Sequence, residues 1–322
     1  MPLPGNNNVS KEEHGFSSSL VSLHSFIHVL PFPTFPSDGL ATIQMTSTAA
    51  GPDAARPSVQ EPLLGDTTPN TSAPSPEFLI RPGRLADIPS LAFHSTRAYW
   101  RSAVNRFIAP HAERYPDDLT RHFRQSMRRR VFKPNYLFLV ACKASDPDTA
   151  VGYGQFARLG NDAAAKELVS STGLRQRMWM WIFSWIFWAY DTVHLFVWRP
   201  HAFDPNALSQ LAAWNKRDSE KHWVPYPERK NKWYAQSLVI NPDYQGRGLG
   251  TMLMAEPMKR AQRERVVFGL TASPHGEFLY RKLGFEMLGE FCERVPTEGP
   301  GDEGGGIMIW YPEGWEGNRH TD

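Results

Sequence analysis

Residues suited to phosphate chemistry are concentrated in a glycine-rich stretch, Gln245 to Gly250, with the sequence QGRGLG. A run of aromatic and branched residues from Trp233 to Ile240 precedes it and predicts a β-strand that stops at Asn241-Pro242. Thr251 to Arg263 follows as a predicted helix. Glycines between a strand end and a helix start let backbone N–H groups converge on an anion, and the helix dipole favours negative charge there. A phosphate or pyrophosphate is therefore the expected ligand.

The spacing of these glycines excludes two common phosphate-binding patterns. Gly246, Gly248 and Gly250 alternate, so neither the GxGxxG dinucleotide pattern nor the GxxxxGK[ST] P-loop is present. No acid-bearing βαβ continuation follows at the expected place. The loop instead resembles the Q/R-x-x-G-x-G/A signature of the GNAT acyltransferases, with Gln245 opening it and Gly248 and Gly250 closing it.

A second stretch, Thr271 to Phe285, resembles the other conserved block of that family, in which a strand end leads into a short helix and then Y-x-K-L-G-F. Tyr280 and the run Lys282-Leu283-Gly284-Phe285 match it. The alternative for Tyr280 is a packing role, with its ring on the sheet. Both blocks in this order imply an α+β GNAT acyl-CoA N-acyltransferase fold, with a mixed central sheet of six or seven strands flanked by helices.

The resemblance also implies a reaction, the transfer of an acetyl group from acetyl-CoA to a primary amine of a small molecule or peptide. The backbone of Leu238, Val239 and Ile240 would bind the pantetheine and the thioester oxygen. The pyrophosphate would be held by the loop and helix start, which comprise Gln245, Gly246, Arg247, Gly248, Leu249, Gly250 and Thr251. Tyr280 would protonate the departing thiolate as general acid. No metal is expected.

The group that accepts the proton of the amine stays open. Many relatives use a glutamate on the central strand, whereas this strand offers only Tyr234, Gln236 and Ser237. His275 and Glu277 are candidate bases because they precede Tyr280 closely. Both are also ordinary residues for a helix start. The identity of the acceptor stays open as well, because the residues that would line its pocket lie in variable segments.

Charge and cysteine content narrow the class of protein. The formal net charge is +2 over 322 residues, which argues against a nucleic-acid partner. The chain contains two cysteines, Cys142 and Cys292, so neither a disulfide framework nor a cysteine metal site is predicted. A reducing, intracellular and cytoplasmic location is expected.

The elements around these motifs predict a leader, one folded domain and a tail. Residues 1–76 are rich in proline, serine and threonine and predict an unstructured leader. Leu20 to Phe32 is apolar but lacks the flanks of a secretory signal, and Met45 is an alternative start of the chain. The GNAT domain is predicted over residues 78–312, and 313–322 form a polar tail.

Within the domain, hydrophobic periodicity predicts helices at Ala86–Trp100 and Pro116–Val131, the second with Leu119, Phe123 and Met127 on one face. Its end, Arg128-Arg129-Arg130, is predicted to be solvated and to complement the helix dipole rather than to bind an anion. A hairpin is predicted from the strands Tyr136–Lys143 and Ala150–Ala157, joined by a turn at Ser145–Asp148. The other predicted strands are Phe78–Arg81, Val266–Ala272, Phe285–Glu293 and Ile307–Tyr311. A further helix is predicted at Glu277–Leu283.

Residues 161–231 are predicted to be a helical, tryptophan-rich insertion in the domain. Met178 to Tyr190 is apolar on every side but spans only about 20 Å as a helix, short of the roughly 30 Å bilayer core. Membrane contact through 178–198 is possible, yet a helix packed on the protein or shielding the acceptor pocket is favoured. In that interpretation Trp181, Trp185 and Trp188 form one pocket wall, and the rival interpretation makes them plain core. Asn206–Glu220 is a second inserted helix.

Two other classes of function remain open at this stage. One is a catalytically silent CoA-binding or regulatory module. The other is a membrane-associated acyltransferase that uses the tryptophan-rich insertion to reach a hydrophobic amine. The sequence leaves the oligomeric state open.

Overall fold

The computed structural model describes residues 77–299, 302, 304–317 and 319. All of them lie within the compact unit Leu40–Asp322. The leader predicted over 1–76 lies outside the described residues, and the tail predicted over 313–322 is described only in part. The division of the chain into leader, domain and tail therefore stays a prediction.

A seven-stranded sheet organises the described residues. Its strands are β1 (Phe78–Pro82), β2 (Tyr136–Lys143), β3 (Asp146–Leu159), β4 (Lys232–Ile240), β5 (Val267–Ala272), β6 (Glu286–Gly289) and β7 (Gly306–Trp310). They are arranged in the order β1-β2-β3-β4-β5-β7-β6. Only β4 and β5 are parallel, and the other neighbours are antiparallel. The predicted α+β class with a mixed sheet of six or seven strands is confirmed.

Helices surround this sheet. In the described part of the chain they are α1 (Ile88–Tyr99), α2 (Ala103–Ile108), α3 (Pro116–Val131), α4 (Ala163–Ser171), α5 (Leu174–Val197), α6 (Pro205–His222), α7 (Leu249–Glu264) and α8 (Pro274–Lys282). Three of them, α4 to α6, lie between β3 and β4. The sequence did not predict α2 and α4, which are short and begin at the capping residues Ser102 and Asp162.

Alternation along the strands divides the core into two main layers. Val140 on β2 belongs to a cluster with α1 and α3, whereas its neighbours Leu139 and Ala141 belong to a cluster with α7 and α8. Successive residues of a strand point to opposite faces, so the two layers cover the two sides of the sheet. The predicted stripe of α3, Leu119, Phe123 and Met127, is buried, which confirms the helical periodicity.

The arginine run at the end of α3 differs from its prediction as a solvated helix end. Arg128 donates to Asp191 of α5 at 2.8 Å, and both side chains are largely buried. Arg130 donates to Gln155 of β3 at 3.2 Å. Burial lowers the pKa of Arg129. The run therefore attaches α5 and β3 to α3, because partners distant in sequence fold back onto it.

The hairpin of β2 and β3 is confirmed, but its turn lies elsewhere. Lys143 pairs with Asp146, so the turn consists of Ala144 and Ser145 and not of Ser145–Asp148. The start of β3 is held by Arg81 of β1, on the far side of β2, whose Nε donates to the Pro147 carbonyl at 2.8 Å. This contact across the sheet explains why a stretch with turn composition is extended.

The central strands separate part-way along their length. β4 pairs with β5 from Lys232 to Ala235, and the register ends there. β4 continues beside β3 to Ile240 with an irregularity at Gln236, while β5 continues beside β7. A bulge bends its strand and increases the local twist. On its β5 side, the backbone of β4 beyond Ala235 therefore borders an opening, while its other side stays paired with β3.

The long helix α5 is attached to the domain along one side. Phe132, just after α3, stacks on Phe183 at 6.0 Å and on Phe187 at 5.4 Å between ring centroids. Asp191 is the one buried residue of the helix. None of the helices in the described ranges combines the length and hydropathy needed to span a bilayer. The helix is thus a surface element.

Candidate active site

The glycine loop, Gln245 to Gly250, follows β4 as predicted and leads directly into α7. Gly246 and Gly248 both have φ of 76°, in the left-handed region that favours glycine. The first backbone bond of the helix runs from Met252 N–H to the Gly248 carbonyl at 3.1 Å. Within the described chain, the N–H groups of residues 249–251 have no backbone acceptor, and no side chain caps the helix. This helix start therefore offers converging donors to an anion.

A cavity of about 510 Å³ joins this loop to the opening between β4 and β5. Its floor includes residues of β4 from Ala235 to Ile240 and of β5 from Thr271 onwards. Helix α8 contributes a further wall, and the remaining lining comes from α2, α6 and the residues Phe291, Glu293, Arg294, Val295, Glu298 and Asp302. The volume is in the range of small-molecule and cofactor sites.

Most of the residues predicted to bind the cofactor line this cavity. They are Leu238, Ile240, Gln245, Gly246, Gly248, Leu249, Gly250 and Thr251. Val239 and Arg247 do not line it. Val239 is buried in the core between β4 and α1, because adjacent residues of a strand face opposite sides. The Arg247 guanidinium pairs with Glu77 at 3.1 Å and lies over the Tyr244 ring.

Tyr280 reaches the same cavity from α8. The helix begins at Ser273, which accepts the Gly276 N–H at 2.8 Å. The Tyr280 ring packs edge-on against Phe285 at 5.8 Å, so the predicted packing contact exists as well. Burial raises the pKa of the phenol, which keeps its proton at neutral pH. Its hydroxyl makes no hydrogen bond to the described residues and is available to a ligand.

A chain of hydroxyls reaches the cavity floor beneath the separated strands. Ser95 and Tyr153 are 3.0 Å apart, and Tyr153 and Ser237 are also 3.0 Å apart. Ser237 and Tyr99 line the cavity. Burial raises the pKa values of Tyr99 and Tyr153, so these phenols are neutral. Sequence reasoning considered Ser237 but missed the two tyrosines, since only the packing of α1 and β3 brings them to this strand.

The two candidate bases are placed differently. His275 lines the cavity, whereas Glu277 does not. Burial alone would raise the pKa of Glu277, but hydrogen bonds from the Gly305 N–H and Arg281 outweigh it, and the pKa is lowered. Its oxygens lie 2.8 Å from the Gly305 nitrogen and 2.6 Å from Arg281 Nε. Glu277 is therefore a structural residue that attaches α8 to the segment before β7.

The side of the cavity facing α8 is acidic, and sequence reasoning did not predict this. Four carboxylates line it, namely Asp218, Glu293, Glu298 and Asp302. Three of them are paired with arginine: Glu293 with Arg217 at 3.2 Å, Glu298 with Arg294 at 3.5 Å and Asp302 with Arg106 at 3.0 Å.

Asp218 differs from these three carboxylates. It is buried on α6 and accepts the Cys292 N–H at 2.7 Å. Within the described chain, no arginine or lysine forms a salt bridge with it. The pKa of the Cys292 thiol is raised mainly by burial and further by the nearby Asp218 carboxylate, so the thiol stays protonated. The cavity therefore contains one buried carboxylate that forms no salt bridge with an arginine or lysine of the described residues.

Asp218 also belongs to a group of possible metal ligands. Ligand atoms of Asp218, His222 and Cys292 all lie within 4.8 Å of one another. Such residue types can coordinate zinc. The cluster is built from the i and i+4 positions of α6 and a distant loop, which no local motif reveals. The expectation that the protein uses no metal stays a prediction.

The tryptophan-rich helix does not form the wall predicted for it. None of the residues lining the described cavity belongs to α5. Trp181 is exposed, and Trp185 and Trp188 are half-buried, so the plain-core alternative is wrong too. The insertion instead contributes Leu211, Trp214 and Asn215 through α6, because α6 packs against α2 at the cavity edge.

Comparison with known proteins agrees with this geometry. Residues 214–287 match the model of the acetyltransferase (GNAT) domain, and this range contains both the glycine loop and Tyr280. An acetyltransferase of Stachybotrys chartarum is 27% identical over 238 residues, which cover 72% of this chain and 90% of that protein. An uncharacterized N-acetyltransferase, ycf52, of Gracilaria tenuistipitata var. liui is 38% identical over 76 residues, which cover 23% of this chain and 35% of that protein.

Among solved structures, the chain is similar to a histone acetyltransferase HPA2 and related acetyltransferase from Corynebacterium glutamicum. The TM-score is 0.45 at 16% identity, with 76% of this chain and 99% of that chain covered. The family match contains the two motifs that surround the cavity, and the Stachybotrys chartarum relative extends it over most of the chain. Residues 214–287 of this chain are thus identified as a GNAT acetyltransferase domain, and the matches support acetyl transfer as the reaction.

Proposed function

We propose that the protein is an acetyl-CoA-dependent N-acetyltransferase whose acceptor is a primary amine that is cationic at neutral pH. One observation carries this proposal. The uncapped start of α7, the part of β4 beyond its last pair with β5, Tyr280 and the buried carboxylate of Asp218 all border one cavity. Each of these groups matches one part of the two substrates.

The donor side of the cavity suits CoA. The N–H groups of residues 249–251 would bind the pyrophosphate, where the helix dipole also favours negative charge. The backbone of Leu238 to Ile240 beyond the last β4–β5 pair would bind the pantetheine and the thioester oxygen. An N–H aimed at that oxygen stabilises the negative charge that develops during attack. For Val239 and Arg247, only the backbone takes part in this proposal.

Acetyl transfer forms a C–N bond and breaks a C–S bond. The amine nitrogen attacks the thioester carbonyl, and the thiolate of CoA leaves. Tyr280 donates its proton to that thiolate, and its neutral phenol is suited to this role. Asp218 binds the ammonium group and takes one proton from it, which frees the amine for attack and later passes to solvent. The nitrogen loses its second proton as the amide forms, and this proton restores the Tyr280 phenol. Proximity of the two substrates in one cavity supplies the rest of the acceleration.

The proposal extends to the organisation of the chain. Residues 78–312 would form the catalytic domain, with 161–231 as its insertion, 1–76 as a leader and 313–322 as a tail. The two cysteines are free thiols in the structure. We place the protein in a reducing, cytoplasmic compartment, where thiols persist.

Substitution of Gly248 tests the donor site. A Cβ at Gly248 would meet no described atom within 4 Å, so Gly248→Asp adds a carboxylate without a clash, although the positive φ strains it. We expect CoA affinity, measured by calorimetry, to fall by at least about tenfold, because the new charge repels the pyrophosphate. Gly173→Asp is the control, since Gly173 caps α5, has open space and lies outside the cavity. Equal CoA affinity for Gly248→Asp and the parent protein would refute the donor site.

A further inference from the structure

The outer side of α5 is an apolar surface of unusual size. Large apolar side chains there are between 40% and 69% exposed. We call them the aromatic face, and they are Met178, Trp179, Trp181, Phe183, Ile186, Tyr190, Val193, Phe196, Val197 and the adjoining Trp198. Single exposed apolar residues are common, but so many along one 24-residue helix are typical of an interaction surface.

The position of this face is determined by contacts on the opposite side of the helix. Asp191 forms its ion pair with Arg128, and the Asp191 side chain is only 3% exposed. The Arg128 guanidinium also lies over the rings of Phe187 and Tyr190, at 5.1 and 5.4 Å. These contacts hold α5 to α3 by its inner edge. Tyr190 and Phe183 form the edge of the aromatic face that contacts α3 and Phe132, and the face as a whole stays exposed.

The charges around the aromatic face are basic. In the segment from α5 to Arg199, the basic residues are Arg175, Arg177 and Arg199, and the only acid is Asp191. Asp191 is buried and neutralised by Arg128, so no exposed carboxylate occurs in this segment. Two further arginines, Arg121 and Arg124, lie on α3, which packs against α5, and Arg121 forms an ion pair with Asp118 at 2.8 Å.

We propose that the aromatic face docks on the surface of a membrane that contains anionic phospholipids. Tryptophan and tyrosine favour the boundary between head groups and acyl chains, where an apolar ring meets a polar environment. Arginines next to such a helix interact with anionic head groups. The proposal concerns attachment at the interface, and it goes beyond the proposed transfer reaction.

Charge distinguishes this occupant from a second copy of the chain. If two copies met through their aromatic faces, the arginines at the ends of one α5 would lie close to those of the other. The segment offers no exposed carboxylate that could neutralise them. Like charges brought together in this way oppose association. An anionic lipid surface, in contrast, pairs with every exposed charge of the segment. The charge pattern therefore favours lipid.

Sedimentation with vesicles tests the proposal on the full chain. Sucrose-loaded vesicles of phosphatidylcholine alone are compared with vesicles that also contain phosphatidylserine. We expect the parent protein to sediment with the second kind and to be released by high salt. Two variants are tested beside it: Ile186→Ser/Val193→Ser/Phe196→Ser in the aromatic face, and Arg175→Glu/Arg199→Glu at its ends. Each should lower the partition coefficient by at least about tenfold.

A matched control separates this face from general hydrophobicity. Phe93→Ser removes an aromatic residue of α1 that is 54% exposed and lies outside both the cavity and α5, and it should sediment like the parent. The arginine variant retains the apolar residues, so it tests the proposal even if the triple variant does not fold. Failure of the parent to bind anionic vesicles, equal binding to neutral vesicles, or unchanged binding of both variants would overturn the proposal. Light scattering that shows a dimer broken by the triple variant would assign the face to a second copy and overturn it too.

Discussion

Replacement of Asp218 by asparagine tests how the acceptor is recognised. The exchange keeps the size of the side chain, and an amide oxygen still accepts the Cys292 N–H that Asp218 accepts at 2.7 Å. The local fold should therefore persist. What the variant loses is a buried negative charge, since Asp218 is only 5% exposed.

The magnitude follows from the burial of this charge. A hydrogen bond to a charged group contributes roughly 1.5–3 kcal/mol, and about 1.4 kcal/mol corresponds to a factor of ten. We expect kcat/KM for an alkylamine, which is protonated at neutral pH, to fall by about 10- to 100-fold. An arylamine is uncharged at neutral pH, so its binding does not need the negative charge. For this substrate the variant lacks only the group that accepts the proton. The selectivity for alkylamine over arylamine should therefore fall by about tenfold or more.

The assay follows the release of CoA thiol with both amines at saturating acetyl-CoA. Glu293→Gln is the control, because Glu293 lines the same side but is half-exposed and paired with Arg217. Its kinetics should stay within about twofold of the parent, as for other exposed ion pairs. CoA affinity should be unchanged in both variants. A wrong assignment of Asp218 can therefore be distinguished from a wrong assignment of the CoA site. Equal losses for the two amines, or no loss for either, would refute the assignment of Asp218.

Two further predictions concern Tyr280 and Asp87. Tyr280→Phe keeps the ring on Phe285, so we expect kcat to fall by about 10- to 100-fold with unchanged CoA affinity; unchanged turnover where chemistry is rate-limiting would leave only packing. Burial alone would raise the pKa of Asp87, but hydrogen bonds from Arg81 and the Arg84 N–H outweigh it and lower the pKa. The stability from Asp87 is thus complete above the ordinary carboxyl pKa of 3.8 and is lost as the pH falls further. Asp87→Ala should cost about 3 kcal/mol in urea unfolding at pH 7 and less at pH 3, and equal costs would contradict the linkage.

Local sequence predicted the individual elements well where one face of each is buried. The stripe of α3 and the strand from Trp233 to Ile240 were recognisable because hydrophobic periodicity reflects burial directly. Turns and caps were less certain. The residues from Asp146 to Asp148 have turn composition, yet Arg81 and Arg84 on the neighbouring segment hold them extended.

In the candidate site too, residues in local motifs were predicted and residues from distant segments were not. The glycine loop and Tyr280 were predicted because short motifs carry their chemistry. The acidic side was missed, since Asp218, Glu293, Glu298 and Asp302 come from segments that only folding brings together. The same holds for α5, whose composition suggested core. Contacts with Arg128 and Phe132 attach it by one side and leave its large apolar residues exposed.

The sequence by itself determined most of the strands and helices, the position of the glycine-rich loop and the family that the motifs indicate. These properties depend on residues close together along the chain. The tertiary structure alone decided that β4 leaves β5 after Ala235, that Asp218 and Tyr280 line one cavity and that α5 keeps large apolar residues exposed. Each of these depends on register, charge pairing and packing between distant segments, and the free energies of such contacts are not encoded in any local pattern.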